Sequence, residues 1–171
     1  MAFGGHPADT LSHLFDMPFA AELAGAAVAG VAAIVAAVMM SIPGRSAAWI
    51  YLPVPGVLLW LAGGGVECYR EMAAGFEMQS LFASRDCFWF IVSAGVTVAG
   101  AAYFLLRRAV PIHLLSVTAL AGLGAALLAA ALLQFMHAHG TNPIDFATHI
   151  VAVATVVLFM LVLGRVALKG T

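Results

Sequence analysis

Five long apolar runs, separated by short polar breaks, constrain this chain more than any other feature. They cover about residues 19–42, 49–66, 88–106, 112–136 and 146–163. The first stops at Pro43-Gly44-Arg45, the second at Glu67-Cys68-Tyr69-Arg70, and the third at Arg107-Arg108. The fourth follows Pro111; the fifth follows Pro143 and ends at Gly164-Arg165. Pro53 and Pro55 lie near the start of the second run, where a helix tolerates proline best. About 20 apolar residues span a bilayer as a helix, and backbone groups in hydrocarbon must be satisfied within the segment. The expected fold is therefore all-α: a polytopic membrane helix bundle of five transmembrane helices, making one membrane domain over residues 1–171. A β-barrel would need alternating segments of about ten residues, and the runs do not alternate.

Composition narrows the function classes. Apolar residues make up 64% of the chain and charged residues 9%, against about 45–50% and about 25% in soluble domains. That excludes an ordinary soluble enzyme, a disordered tail and a disulfide-dense scaffold. The net charge is −1, with no basic block for nucleic acid. Before the first run there is no Lys or Arg, so the N-terminus does not read as a cleavable signal peptide. Gly63-Gly64-Gly65 lacks the Lys and Ser/Thr of a phosphate loop and is expected to end the second helix and let the chain turn. Small residues in Ala24-Gly25-Ala26-Ala27 and in residues 121–126 suit close helix approach, or simply reflect how common Ala and Gly are in membrane helices. There is no GxSxG and no paired-carboxylate cleft, so the chain carries no enzyme signature.

Cation counts set an expected orientation. One side holds Arg45, Arg107, Arg108, Arg165 and Lys169; the other holds Arg70 and Arg85. Lys and Arg accumulate on the cytoplasmic side, which places the N-terminus outside and the C-terminus in the cytoplasm. Trp49, Tyr51, Tyr69, Trp89 and Tyr103 fall near the expected interfaces, as belt aromatics do.

The residues able to carry chemistry fall mostly on the outward side. Glu67, Cys68, Glu71, Glu77, Asp86, Cys87, His137, His139 and Asp145 lie there, with His149 about one turn into the fifth helix. His6, Asp9, His13 and Asp16 belong to the N-terminal segment on the same side. Thiols, imidazoles and carboxylates together can bind a soft or borderline metal ion. The candidate set for a metal ion or for redox sensing is Cys68, Cys87, His137, His139 and His149. Against it stands the plainer reading of solvated loop groups, because no CxxC or HExxH spacing is present. Two thiols facing an oxidising compartment can also bond, which would bring the second helix against the third. Glu22 and His149 each sit about one turn into a helix, near enough to the interface to reach water. A haem would need His137 and His149 facing each other near the outer surface.

Several blocks read in order carry a family resemblance. Pro18-Phe19-Ala20-Ala21-Glu22-Leu23 leads through an Ala-rich helix to Ser41-Ile42-Pro43-Gly44-Arg45. Ser84-Arg85-Asp86-Cys87 opens a helix, and Leu106-Arg107-Arg108-Ala109-Val110-Pro111 leads to Ala119-Leu120-Ala121-Gly122-Leu123. His137, a short polar loop, Asp145 and His149 close the series. Over about residues 15–165 the chain resembles the NrsF family, named for negative regulator of sigma F. Its members are polytopic bacterial inner-membrane proteins, some acting as anti-sigma factors for extracytoplasmic-function sigma factors. The resemblance implies a cytoplasmic sigma-factor partner, held inactive until a periplasmic or membrane signal releases it to turn on stress genes. Family members usually have six helices behind a cytoplasmic N-terminal segment; this sequence reads as beginning before the family's second helix. Sigma binding would then use Arg45, the Arg107-Arg108 loop or the Arg165–Lys169 segment. Where some members pair a second cysteine with the one matching Cys87, this chain has Ala138. Two other readings stay open: a small accessory subunit of a larger membrane complex, and a metal- or haem-binding membrane protein. The partners expected are the lipid bilayer, a sigma factor and, on the accessory reading, other membrane subunits.

Overall fold

Prolines set the helix starts. A computed structural model describes residues 16–75, 81–106, 113–134 and 143–169. Helix α1 spans Met17–Ser41, with Pro18 in its first turn where a missing N–H costs nothing. The chain then turns through Gly44, whose φ of 82° is open to glycine at little cost, and forms a short 3₁₀ turn over Ala47–Tyr51. Helix α2 runs Val54–Ala73, α3 Leu81–Leu106, α4 Leu114–Gln134 and α5 Pro143–Lys169. Among the described residues there is no strand, and all five helices are long and apolar enough to cross a membrane.

The second helix differs most from expectation. It starts at Val54 rather than near residue 49, because Pro53 caps it and residues 47–51 take the tighter 3₁₀ form. It also runs through Gly63-Gly64-Gly65 and on to Ala73, rather than ending near residue 66. Glycine is a poor helix former in water. Here Gly63 and Gly64 are buried at helix contacts, where the missing side chain allows close approach. Helices α3 and α5 likewise reach beyond their apolar runs, beginning at Leu81 and Pro143 instead of near 88 and 146. Polar residues at those ends remain helical because the backbone hydrogen bonds continue past the apolar stretch.

Helix α4 is the axis of the bundle. It packs against α1, α3 and α5, and two-thirds of its spanning window is buried (67%). Helix α1 also packs along α2, while α5 closes the ring between α3 and, more lightly, α2. Lipid is as apolar as leucine, so helices associate in it through close packing and not through hydrophobic expulsion. Glycine contacts show how. A Cβ on Gly56 would meet the backbone of Ala29 at 2.6 Å, and one on Gly25 would meet the Trp60 backbone nitrogen. A Cβ on Gly30 would lie 3.2 Å from the Gly124 carbonyl, and one on Gly122 3.1 Å from Met160 Cβ. Each contact joins antiparallel neighbours, so one end of the bundle gathers the starts of α1, α3 and α5 with the ends of α2 and α4.

The outward surface is apolar, with Val28, Leu58, Leu132, Leu158 and Val162 all exposed. Hydroxyls on that surface bond to their own helices: Thr97 donates to the Ser93 carbonyl and Thr155 to the Val151 carbonyl, each at 2.7 Å. Such self-satisfaction is what hydrocarbon requires. At the rim, Arg70 pairs with Asp16 at 3.1 Å, tying α2 to the start of α1 with both side chains about half exposed. Exposed pairs contribute little. Arg70→Ala is expected to change stability by less than about 1 kcal/mol, read as an apparent Tm in mild detergent.

Candidate functional site

Polar residues collect at the end where α1, α3 and α5 begin. Glu22 lies on the stripe of α1 that also carries Ala26, Ala29 and Ala33, and all four have no exposed surface. From α2 come Glu67, buried, and Cys68, half buried. Cys87 is buried on α3. Helix α5 supplies Asp145 in its first turn, where a carboxylate complements the helix dipole, and His149 one turn further in, 2% exposed.

Helix register brings these groups together. A Cβ on Gly63 would meet the Glu22 nitrogen at 2.5 Å and the Pro18 carbonyl at 2.8 Å. On the neighbouring face of α2, a Cβ on Gly64 would strike the Phe146 ring. One turn along, Trp60 stands edge-on to Phe146 with ring centres 5.8 Å apart. Consecutive glycines on α2 therefore fix α1 and α5 at one level. Glu22, Glu67 and Asp145 all lie within electrostatic reach of the Cys68 thiol, and Asp145 and Asp86 within reach of Cys87.

Several sequence expectations change here. Glu22 and His149 do not reach water at the interface; both are enclosed by neighbouring helices. Cys68 and Cys87 are not joined in a disulfide. Helices α2 and α3, although consecutive, are not packing partners; α5 contacts both, and its Asp145 lies within reach of both thiols. His137 and His139 of the candidate metal set lie outside the described residues, as do His6, Asp9, His13 and Glu77. Among the described residues, no three His, Cys, Asp or Glu side chains gather to hold a metal ion. The burial of Glu67 was not anticipated. Its signal was present, because Trp60, Gly63, Gly64 and Glu67 follow the helical spacing of one buried face.

The opposite end is different in kind. Arg45, His113 and Arg165 are exposed there, with no carboxylate among the described residues at that end. An open concavity of about 430 Å³ follows Arg45 in the chain, lined by Ser46, Ala48, Trp49, Tyr51, Leu52 and Pro55. It has no thiol, imidazole or carboxylate to do chemistry.

No curated protein and no solved structure matches the chain. A family model described as "NrsF: Negative regulator of sigma F" matches residues 1–169. That range takes in every block that carried the resemblance, from Pro18–Leu23 to His149. The chain with this five-helix bundle and one polar end belongs to the NrsF family, the negative regulators of sigma F.

Proposed function

We propose that this protein is a membrane-embedded regulator of anti-sigma type, holding an extracytoplasmic-function sigma factor inactive at the inner membrane of a bacterium. Family membership over residues 1–169 carries the reading. Charge partition supports its geometry. All six described carboxylates, Asp16, Glu22, Glu67, Glu71, Asp86 and Asp145, fall at the polar end, while Arg45, Arg165 and Lys169 belong to the other. By the positive-inside rule the cation end faces the cytoplasm, where a sigma factor would dock, and the polar end faces outward. The chain then works as one membrane domain with its N-terminus outside and its C-terminus in the cytoplasm.

The signal enters at the outward thiols. A disulfide needs Cα atoms within about 7 Å. Since α2 and α3 are not packing partners, a disulfide-bearing oxidant outside the membrane that takes two electrons and two protons from Cys68 and Cys87, and is itself reduced to two thiols, would leave them bonded and draw these two helices together past the start of α5. That movement links chemistry outside to the positions of the helix ends inside.

The test is gentle extraction from the native membrane followed by mass spectrometry of what stays attached. A sigma factor in the eluate is the expected result. Other membrane subunits in fixed ratio, with no sigma factor, would overturn the reading in favour of a structural accessory role.

A further inference from the structure

We propose that the concavity between the end of α1 and the start of α2 binds an anionic phospholipid, its phosphate on Arg45 and its upper acyl chains against Trp49, Leu52 and Pro55. Helix length places the concavity at headgroup level. Arg70 and Asp16 form an exposed ion pair at the polar rim, which marks one face of the bilayer. Helix α1 begins at the next residue and has 25 residues, which rise ~37 Å at about 1.5 Å each. A bilayer with its headgroups is about 40–45 Å thick. The turn after Ser41, with Arg45 and the 3₁₀ segment Ala47–Tyr51, therefore lies in the headgroup layer of the opposite leaflet. Trp49 and Tyr51 suit that depth, where amphipathic rings collect.

The lining matches a phospholipid in both of its parts. On the polar side every group is able to donate. Arg45 is exposed and directly precedes Ser46, the first lining residue, so their Cα atoms are about 3.8 Å apart. Its backbone N–H donates to the Ile42 carbonyl at 3.3 Å, which holds the turn. Ser46 Oγ accepts from the Ala48 N–H at 3.1 Å, leaving its own proton to donate. The Tyr51 hydroxyl belongs to a side chain that is 71% exposed. No carboxylate lines the concavity, and none lies among the described residues at this end. A phosphate is the anion that suits such a donor set, with two of its oxygens matching the guanidinium fork. On the apolar side are Ala48, Trp49, Leu52 and Pro55. Trp49 packs on the buried cluster that includes Met40 and Val117, so this wall is fixed.

Continuity with the lipid-facing surface favours a lipid over a free anion or a peptide. Ile42, Ile50 and Leu52 around the turn are exposed. Val54, Leu58 and Leu61 follow at helical spacing on α2 and are exposed as well. This stripe leads from the concavity along the membrane-spanning part of α2 and gives acyl chains a track. A free phosphate has nothing to place there. One phosphate takes two of the five guanidinium donors, so three remain for a protein partner at the same end.

The experiment is quenching of Trp49 by brominated lipid in liposomes carrying the full chain. Trp89→Phe removes the exposed emitter at the opposite end, and Trp60 is enclosed, 3% exposed. Phosphatidylglycerol brominated on its upper acyl carbons is titrated into phosphatidylcholine. Brominated phosphatidylcholine in the same host gives the curve for random occupancy. Both leaflets have one composition, so the direction of insertion does not matter. Half of the full quenching should need about fivefold less brominated phosphatidylglycerol than brominated phosphatidylcholine, as ~1 kcal/mol for one arginine at an anionic headgroup requires. Arg45→Gln should bring the two curves together. Ala48→Phe fills the concavity without changing the charge and should do the same. Arg165→Gln should keep the preference. Inorganic phosphate at constant ionic strength should not relieve the quenching. Coincident curves with Arg45 and Ala48 intact overturn the proposal without any change at the site. A preference lost equally in Arg165→Gln overturns it too, because the attraction is then diffuse. Relief by inorganic phosphate would mean a site for the free anion and not for a lipid. A Trp49 quenched by neither lipid would mean that protein, a second copy or a partner segment, covers the concavity, and it overturns the proposal as well.

Discussion

Replacing Gly63 by alanine will destabilise the protein, while the same change at Gly65, two residues on, will not. A Cβ on Gly63 would lie 2.5 Å from the Glu22 nitrogen, 2.8 Å from the Pro18 carbonyl and 2.9 Å from the Glu22 Cα. All three are backbone atoms, so no rotamer change relieves the collision and α1 must move off α2. Overpacking a rigid contact costs about 1–3 kcal/mol and sometimes more, against a gain of about 1 kcal/mol in helix propensity. Spreading the whole α1–α2 seam puts the net loss for Gly63→Ala at ~2 kcal/mol or above. At Gly64 the methyl meets the Phe146 ring, which can tilt but is held edge-on by Trp60, so a loss of about 1 kcal/mol is expected. Gly65 has nothing within 4 Å, and Gly65→Ala should gain about 0.5–1 kcal/mol. Apparent Tm in mild detergent should therefore fall in the order Gly65→Ala, unsubstituted protein, Gly64→Ala, Gly63→Ala. A Gly63→Ala protein as stable as the parent would mean that α1 and α2 do not close on this glycine.

The three consecutive glycines also show where reading a sequence succeeds and where it stops. Each apolar run became a helix because its length and hydropathy leave a chain in hydrocarbon no other way to satisfy its backbone. The ends were harder. A helix ends where its hydrogen bonds end, not where its apolar residues do, and Glu67, Cys68, Arg70, Arg85 and Asp145 all lie within helices. Glycine in sequence reads as a break because soluble helices avoid it. In this bundle Gly25, Gly56 and Gly63 are contact points, and only the neighbouring helix shows that.

The candidate site was legible as a list and not as an arrangement. Charge partition alone separated a polar end from a cation end, and the structure gathers Glu22, Glu67, Cys68, Cys87, Asp145 and His149 at the former. Which of them face inward depends on helix rotation and on which helices are neighbours. Consecutive helices often pack together, so a Cys68–Cys87 pairing looked reachable; α4 instead takes the central place and α2 and α3 are not packed on each other. Glu22 shows the same limit. Its position one turn into α1 suggests a group near water, but it shares the stripe of Ala26, Ala29 and Ala33, which α2 and α4 cover.

Reversing two charges at the cation end should release the sigma factor without disturbing the bundle. Arg45 and Arg165 are exposed, lie at the ends of different helices and have no ion pair among the described residues. No described carboxylate at that end competes for them, so an acidic surface on the partner would meet unneutralised cations. An exposed ion pair contributes about 0.5–1 kcal/mol, and reversal replaces attraction with repulsion. Two reversals, Arg45→Glu with Arg165→Glu, should therefore weaken retention by about tenfold or more at low salt, since ~1.4 kcal/mol is a factor of ten. The loss should be smaller at high salt in both proteins, because exposed charges are screened. Neither side chain supports the core, so the apparent Tm should stay within about 1 kcal/mol of the parent in stability terms. On the proposed orientation, removing these two cations also weakens the orienting signal, although Arg107, Arg108 and Lys169 remain in the sequence. Labelling of the half-buried Cys68 with an impermeant reagent from outside checks that the chain still inserts the same way. The binding measurement is the fraction of sigma factor that sediments with liposomes carrying each protein. Undiminished retention, with insertion intact, would remove Arg45 and Arg165 from the docking face. Lost retention together with lost outside labelling would mean that the chain had inverted, and the same substitutions would then be repeated one at a time.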